Sequence, residues 1–293
     1  MKKLLTLLAT SLLLISTQIA AQSIDFGRGE LPITVPENYA EDTPAPLIVL
    51  LHGYTSSGQG QDMYLGFSRV ADRYGFLFVA PDGTREISDS QNRFWNASDA
   101  CCNFFNSEID DSEYLIGIIN RMKEEYNVDP NRVYLVGHSN GGFMSYDMAY
   151  KHSDSIAAIA SLAGASHLEE RDAPANPVHV LQIHGTDDTT IEYAGGDLQG
   201  NNYPSAMETV TQWADYNNCT TEGSERELRD LESNLPGHES SVMLFEVGCA
   251  TGGSSELWTI QNGSHVPRVS DSFSSQIVEW LYAHPKQYAS YAD

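Results

Sequence analysis

The chain has 293 residues and carries 40 acidic against 16 basic side chains, a formal net charge of −24 at neutral pH. An excess of carboxylates this large repels polyanions, which argues against nucleic acid and anionic membrane surfaces as partners. After the first residues, no apolar run approaches the roughly 20 residues needed to span a bilayer.

The opening stretch "MKKLLTLLATSLLLISTQIAAQS" joins Lys2 and Lys3 to an apolar core over 4–15 and a small-residue exit at Ile19-Ala20-Ala21. That order is the one a secretory signal peptide requires, with cleavage near Ala21, so residues 1–21 are expected to be removed and the product secreted. Residues 22–293 contain no linker-like tract and no internal repeat, and are expected to form a single α/β domain.

Short, β-rich apolar runs then alternate with helical patterns. "PLIVLLHG" (46–53) predicts a buried strand ending in a turn, followed by a helical segment over 64–73 and a second such strand in "FLFVAPDG" (76–83). A helix over 110–126 precedes "RVYLVG" (132–137), a helix over 142–152, "IAAIASLAG" (156–164) and "VHVLQIHG" (178–185). A helix over 204–217, strands at 241–247 and 256–263 and a helix over 271–283 follow. Unbroken apolar strands spaced by helices predict a mostly parallel central sheet with helices on both faces. Several strands end in His-Gly, Asp-Gly or Asn-Gly, and in such sheets the crevice beyond the strands' carboxyl ends is where chemistry sits.

The turn after 132–137 is Gly137-His138-Ser139-Asn140-Gly141, a G-x-S-x-G elbow. Its glycines allow a sharp strand-to-helix turn that exposes a serine; a plain tight turn with a surface serine is the bland reading. Ser139 as nucleophile needs a base, and the base needs an orienting acid. Downstream, Asp187 and Asp188 both follow the strand 178–185, and the residues alone leave either as the acid. His265, on the turn after the final strand, fits the base in the order serine, acid, histidine. His238 lies in an acidic excursion and His284 at a helix end, where a structural role suffices. For the oxyanion, the N–H of Asn140 and the N–H of Tyr54 in "LLHGYTSSG" are the expected donors, with Gly53 permitting close backbone approach. Tyr54, His138 and Trp95 are the candidate substrate contacts, with Phe94 as a further aromatic; core packing is an equal reading for Phe94 and Trp95. No metal or organic cofactor is expected.

Cys101, Cys102, Cys219 and Cys249 allow three pairings, and spacing alone does not choose among them. Export favours disulfides. Cys219–Cys249 is the preferred bridge because it would staple the excursion "TTEGSERELRDLESNLPGHESS", worth about 3–4 kcal/mol on a chain-entropy argument. Cys101 and Cys102 would then form a vicinal bridge or stay reduced, since no nearby spacing resembles a zinc site.

Taken together, "LLHGYTSSG", "FWNASDACCNFFNSEIDDSEYL", "YNVDPNRVYLVGHSNGGFMSYDMA", "HGTDDTTIEYAGG" and "NGSHVP" resemble the secreted poly(3-hydroxybutyrate) depolymerase-like and feruloyl esterase family. The resemblance runs from about residue 30 to 283. It implies an α/β-hydrolase fold and a serine esterase, puts the acid of the H-G-T-x-D turn on Asp188, the base on His265, and the late cysteine pair on Cys219 and Cys249. The chain departs from that pattern at Gly263-Ser264-His265, where Gly-Gly-His is common, at Val266 in place of a tryptophan, and at Tyr54 where a small residue often stands. Feruloylated or acetylated polysaccharide and hydroxyalkanoate or other polyesters are the implied substrate classes, attacked in an open cleft without a large lid. A monomer is expected. A serine peptidase of the same fold and a non-catalytic polymer-binding protein are the alternatives.

Overall fold

The computed structural model describes residues 22–169, 171–220 and 222–287; the expected signal peptide, residues 1–21, lies outside the described residues. A hairpin of β1 (Gln22–Asp25) and β2 (Glu30–Thr34) leads into β3 (Ala45–Leu51), α1 (Gly58–Leu65), α2 (Ala71–Tyr74) and β4 (Leu77–Val79). Two short strands, β5 (Thr84–Arg85) and β6 (Arg93–Phe94), pair with each other ahead of α3 (Asp111–Glu125). Next come β7 (Val128–His138), α4 (Asn140–Lys151), β8 (Ala158–Leu162) and β9 (His179–Gly185). A small hairpin of β10 (Gly196–Leu198) and β11 (Asn201–Tyr203) precedes α5 (Ala206–Tyr216), and β12 (Ser224–Arg229), β13 (Ser240–Phe245), β14 (Ser254–Ile260) and α6 (Phe273–Ala283) complete the order.

Ten strands form one sheet in the order β1-β2-β4-β3-β7-β8-β9-β14-β13-β12. The stretch from β4 to β14 is parallel throughout, and antiparallel strands flank it at both edges. The reason is visible in β3, whose seven residues are all buried. Leu47, Val49 and Leu51 point into one layer with Leu115 and Ile118 of α3 and Phe143 and Met144 of α4. Ile48 and Leu50 point into the other, with Leu65 of α1 and Phe273, Ile277 and Leu281 of α6. An apolar run with no polar alternation can only be satisfied by cover on both faces. This is the expected α/β-hydrolase architecture.

Two expectations change in detail. The helical pattern over 64–73 is broken, because Gly66 takes a left-handed φ of 76° and ends α1 with its N–H on the Asp62 carbonyl; a 3₁₀ turn at Ser68–Val70 and α2 follow. The acidic excursion contains β12, which pairs antiparallel with β13 at the sheet edge. Its sequence, SERELR, has no buried face to write an apolar alternation into, so it reads as a loop. The structure joins Cys219 to Cys249 and Cys101 to Cys102. Among the described residues no helix is long and apolar enough to cross a membrane.

Candidate active site

The loops that matter all leave the same edge of the sheet, at the carboxyl ends of β3, β7, β9 and β14. Ser139 follows β7 directly, with φ 54° and ψ −122°, a region that side chains avoid. Three hydrogen bonds hold it there: its N–H donates to the Leu162 carbonyl at 2.8 Å, and its carbonyl accepts from the N–H groups of Gly142 and Phe143 as α4 starts. The glycines are obligatory for packing. A Cβ on Gly137 would lie 2.0 Å from the Gly141 oxygen, and one on Gly141 would lie 2.3 Å from the Leu51 oxygen.

Three side chains from three loops meet at this elbow. His265 Nε2 lies 2.9 Å from Ser139 Oγ, and His265 Nδ1 lies 2.7 Å from Asp188 Oδ2. A carboxylate only accepts, so the Nδ1 carries the proton and the Nε2 lone pair faces the serine. Asp188 is itself fixed. Its Oδ1 accepts from the N–H groups of Thr190 at 2.8 Å and Ile191 at 2.9 Å. His184 Nε2 lies 3.3 Å from Oδ2 while donating to the Ile191 carbonyl at 2.8 Å. Burial by itself would raise the Asp188 carboxyl, but the hydrogen bonds from His184, His265 and the Thr190 N–H outweigh it and hold the group below the usual carboxylate range. Asp187, in contrast, is exposed, and its carboxylate accepts a hydrogen bond from the hydroxyl of its neighbour Thr186.

The Tyr54 loop lies against the serine: a Cβ placed on Gly53 would sit 3.4 Å from Ser139 Cβ. Among the described residues, no protein acceptor takes the N–H of Tyr54 or of Asn140. The Tyr54 ring is half-buried, its hydroxyl donates to Glu86, and Phe104 packs edge-on against it with centroids 5.3 Å apart.

Two expected substrate contacts have other surroundings. Trp95 is fully buried, as is Phe94, so neither ring walls a cleft; the indole N–H of Trp95 donates to the His52 carbonyl at 3.0 Å inside the core. Its run "RFWNAS" carries no pattern that separates a buried aromatic from an exposed one. His138 is 7% exposed, and its Nε2–H donates to the backbone carbonyl of His265 at 2.9 Å. Burial, aided by the neighbouring His265, lowers it to about 4, which keeps the ring neutral. It therefore holds the histidine loop. Tyr64 does so as well, with its hydroxyl on the Pro267 carbonyl at 2.7 Å. Phe104, Tyr64, His184 and His52 are functional neighbours with no role in the sequence reading; His52 and His184, in the His-Gly pairs that follow β3 and end β9, carried a signal there.

Comparison with known proteins gives a consistent picture. The family described as phospholipase/carboxylesterase matches residues 38–238. A bifunctional acetylxylan esterase/xylanase of Neocallimastix patriciarum is 26% identical over 244 residues, covering 83% of this chain and 31% of the relative. Feruloyl esterase B of Piromyces equi is 27% identical over 242 residues, covering 80% of this chain and 42% of that protein. The chain thus spans less than half the length of these curated relatives. An acetyl xylan esterase from Aspergillus awamori superposes with a TM-score of 0.63 at 16% identity, over 89% of this chain and 98% of that one, a likeness of fold.

Proposed function

The chain belongs to the phospholipase/carboxylesterase family, and from that premise we propose that it is a secreted serine esterase working through an acyl-enzyme on bulky or polymeric carboxylic esters. One observation carries the reading: Ser139, His265 and Asp188 form a continuous hydrogen-bonded line with separations of 2.9 and 2.7 Å.

In this mechanism His265 Nε2 takes the Ser139 proton as Oγ attacks the ester carbonyl, and Asp188 holds the tautomer and stabilises the imidazolium. The N–H groups of Tyr54 and Asn140 receive the oxyanion of the tetrahedral intermediate. Collapse of that intermediate breaks the bond to the alcohol, which leaves with the proton from His265. Water then gives a proton to the same nitrogen as it attacks the acyl-serine, and collapse of this second intermediate releases the acid while His265 returns the proton to Ser139 Oγ. No step asks for a metal or an organic cofactor.

Bulky substrates suit the surroundings. Among the described residues, the segment from β9 to α5 holds only the β10–β11 hairpin and no helical lid. The Tyr54–Phe104 pair, whose tyrosine follows the Gly53 that lies against the serine, is the candidate aromatic wall. The names of two relatives, a feruloyl esterase and a bifunctional acetylxylan esterase/xylanase, support plant-wall esters as a substrate class. The leader sequence and the two disulfides support secretion, and the ten-stranded sheet, which draws on strands from β1 to β14, supports one catalytic domain over residues 22–293. The test is a paired assay of ferulate release from methyl ferulate and clearing of amorphous poly(3-hydroxybutyrate), each blanked with Ser139→Ala. Ferulate release alone supports the plant-wall assignment, and clearing alone moves the substrate to polyesters. Turnover of neither, together with no fluorophosphonate labelling of Ser139, overturns the proposal.

A further inference from the structure

Oxyanion stabilisation requires two N–H groups, from separate stretches of chain, to aim at one point within a few tenths of an ångström. Tyr54 sits on the loop after β3 and Asn140 at the start of α4, each three residues past the paired strand ends Leu51 and Gly137. The strand pairing stops short of both N–H groups, so their aim depends on what holds the chain beyond it.

A buried chain of hydrogen bonds joins them. The Asn140 side chain grips the backbone of Trp95 twice: Oδ1 accepts from the Trp95 N–H at 2.6 Å, and Nδ2 donates to the Trp95 carbonyl at 2.9 Å. The Trp95 indole N–H donates to the His52 carbonyl at 3.0 Å. The His52 ring completes the path. Its Nε2 accepts from the Gly83 N–H at 2.8 Å, which leaves the proton on Nδ1, and Nδ1–H donates to the Gly53 carbonyl at 2.8 Å. Burial lowers His52 to about 4, so these donor and acceptor roles do not change near neutral pH. The carbonyl and N–H of a trans peptide point in opposite directions. Holding the Gly53 carbonyl toward His52 therefore turns the Tyr54 N–H away from it. Trp95, Asn140 and His52 are all 0% exposed, so water does not compete for these bonds.

We propose that Trp95 and Asn140 form a brace that fixes the two oxyanion donors relative to each other, which makes both side chains positioning residues for ester hydrolysis. The inference rests on the acyl-enzyme reading above. It assigns the Asn140 side chain a role distinct from its own N–H, which any residue at that position would supply. It also explains why an indole, and not a phenyl ring, stands at 95: only the indole carries the donor for His52.

The experiment measures kcat, KM and inhibition by a trifluoromethyl ketone, a mimic of the tetrahedral intermediate, for Asn140→Ala, Trp95→Phe and the double variant. Rates are expressed per reactive serine titrated with a fluorophosphonate, so that unfolded molecules drop out. Asn140→Ala is the safer variant, because alanine is the strongest helix former and the vacated space admits a water to the Trp95 peptide. Each single variant is expected to lose about 10–100-fold in kcat, with KM within twofold, since loss of one donor outright costs about 10²–10³. Inhibition by the ketone should weaken by the same factor. The double variant should lose no more than the worse single variant, because both break one brace. Per-site kcat within twofold of wild type in Asn140→Ala overturns the inference while leaving the esterase assignment standing, and so do multiplicative losses in the double variant. An inactive wild type defeats the esterase assignment instead.

Discussion

Replacing Asp188 by asparagine exchanges one carboxylate oxygen for an NH₂ group and should disable the base without disturbing the fold. Oδ1 of Asp188 is held by the N–H groups of Thr190 and Ile191, so the amide oxygen of the variant is expected to stay there and its NH₂ to face His265 Nδ1. A donor at that position forces the imidazole proton onto Nε2, pointing at Ser139, where a lone pair is needed. The productive alternative turns the amide over and strands two N–H donors. At about 1–3 kcal/mol for an unsatisfied buried donor, and the lower figure for the partly exposed Thr190 N–H, the cost is about 3 kcal/mol. With 1.4 kcal/mol per tenfold, roughly one molecule in a hundred then holds the productive arrangement. Steady-state kinetics on p-nitrophenyl acetate should therefore show kcat reduced at least about 100-fold, with KM nearly unchanged because Asp188 has no path to substrate. Asp187→Asn, on the exposed neighbour, should stay within twofold of wild type. If Asp188→Asn keeps more than a fifth of wild-type kcat with its melting temperature intact, the tautomer argument is wrong.

The same carboxylate leaves a mark on stability. Because its folded-state pKa is depressed, its contribution is fully present above about pH 4 and is lost as pH falls further, so urea midpoints of wild type and Asp188→Asn should differ at pH 6 and draw together below pH 3; a constant gap would contradict this. The Cys219–Cys249 bridge closes a separation of 30 residues, for which chain entropy gives about 3.5 kcal/mol; the double serine variant should melt about 10 °C lower, and a loss under 3 °C would show that the bridge constrains little. Phe104→Ala removes the ring packed edge-on against Tyr54. An aromatic pair of this kind is worth about 0.5–1.5 kcal/mol, so KM for methyl ferulate should rise about 2–10-fold while that for a small acetyl ester stays put; equal effects on both would place Phe104 outside the acyl groove.

The parts of this architecture that are legible in sequence are those where physics admits few residue types. The central strands write their double burial as unbroken apolar runs, and the elbow writes its backbone crowding as Gly137 and Gly141. The order of serine, acid and histidine follows from the sheet's connectivity, but the choice of Asp188 over Asp187 does not. It depends on which carboxylate lies within reach of the Thr190 and Ile191 N–H groups, a matter of loop conformation that one residue of spacing leaves open. For Trp95 the residues leave cleft wall and core packing equal, and the structure has it in the core: burial in a loop has no period, and an aromatic that anchors a core looks the same in sequence as one that walls a cleft. β12 is the opposite case, a strand whose exposed edge position erases the alternation that would reveal it.

The position of β14 has a consequence for how the chain acquires its chemistry. It is the last strand in sequence among the described residues, yet it lies inside the sheet, parallel to β9 and antiparallel to β13. His265 is carried on the turn that follows it, 126 residues beyond Ser139. A nascent chain with every earlier element in place still has an unactivated hydroxyl at its elbow. On the proposed mechanism, reactivity begins only when β14 docks against β9 and delivers the imidazole, so a partly made chain would be inert toward esters.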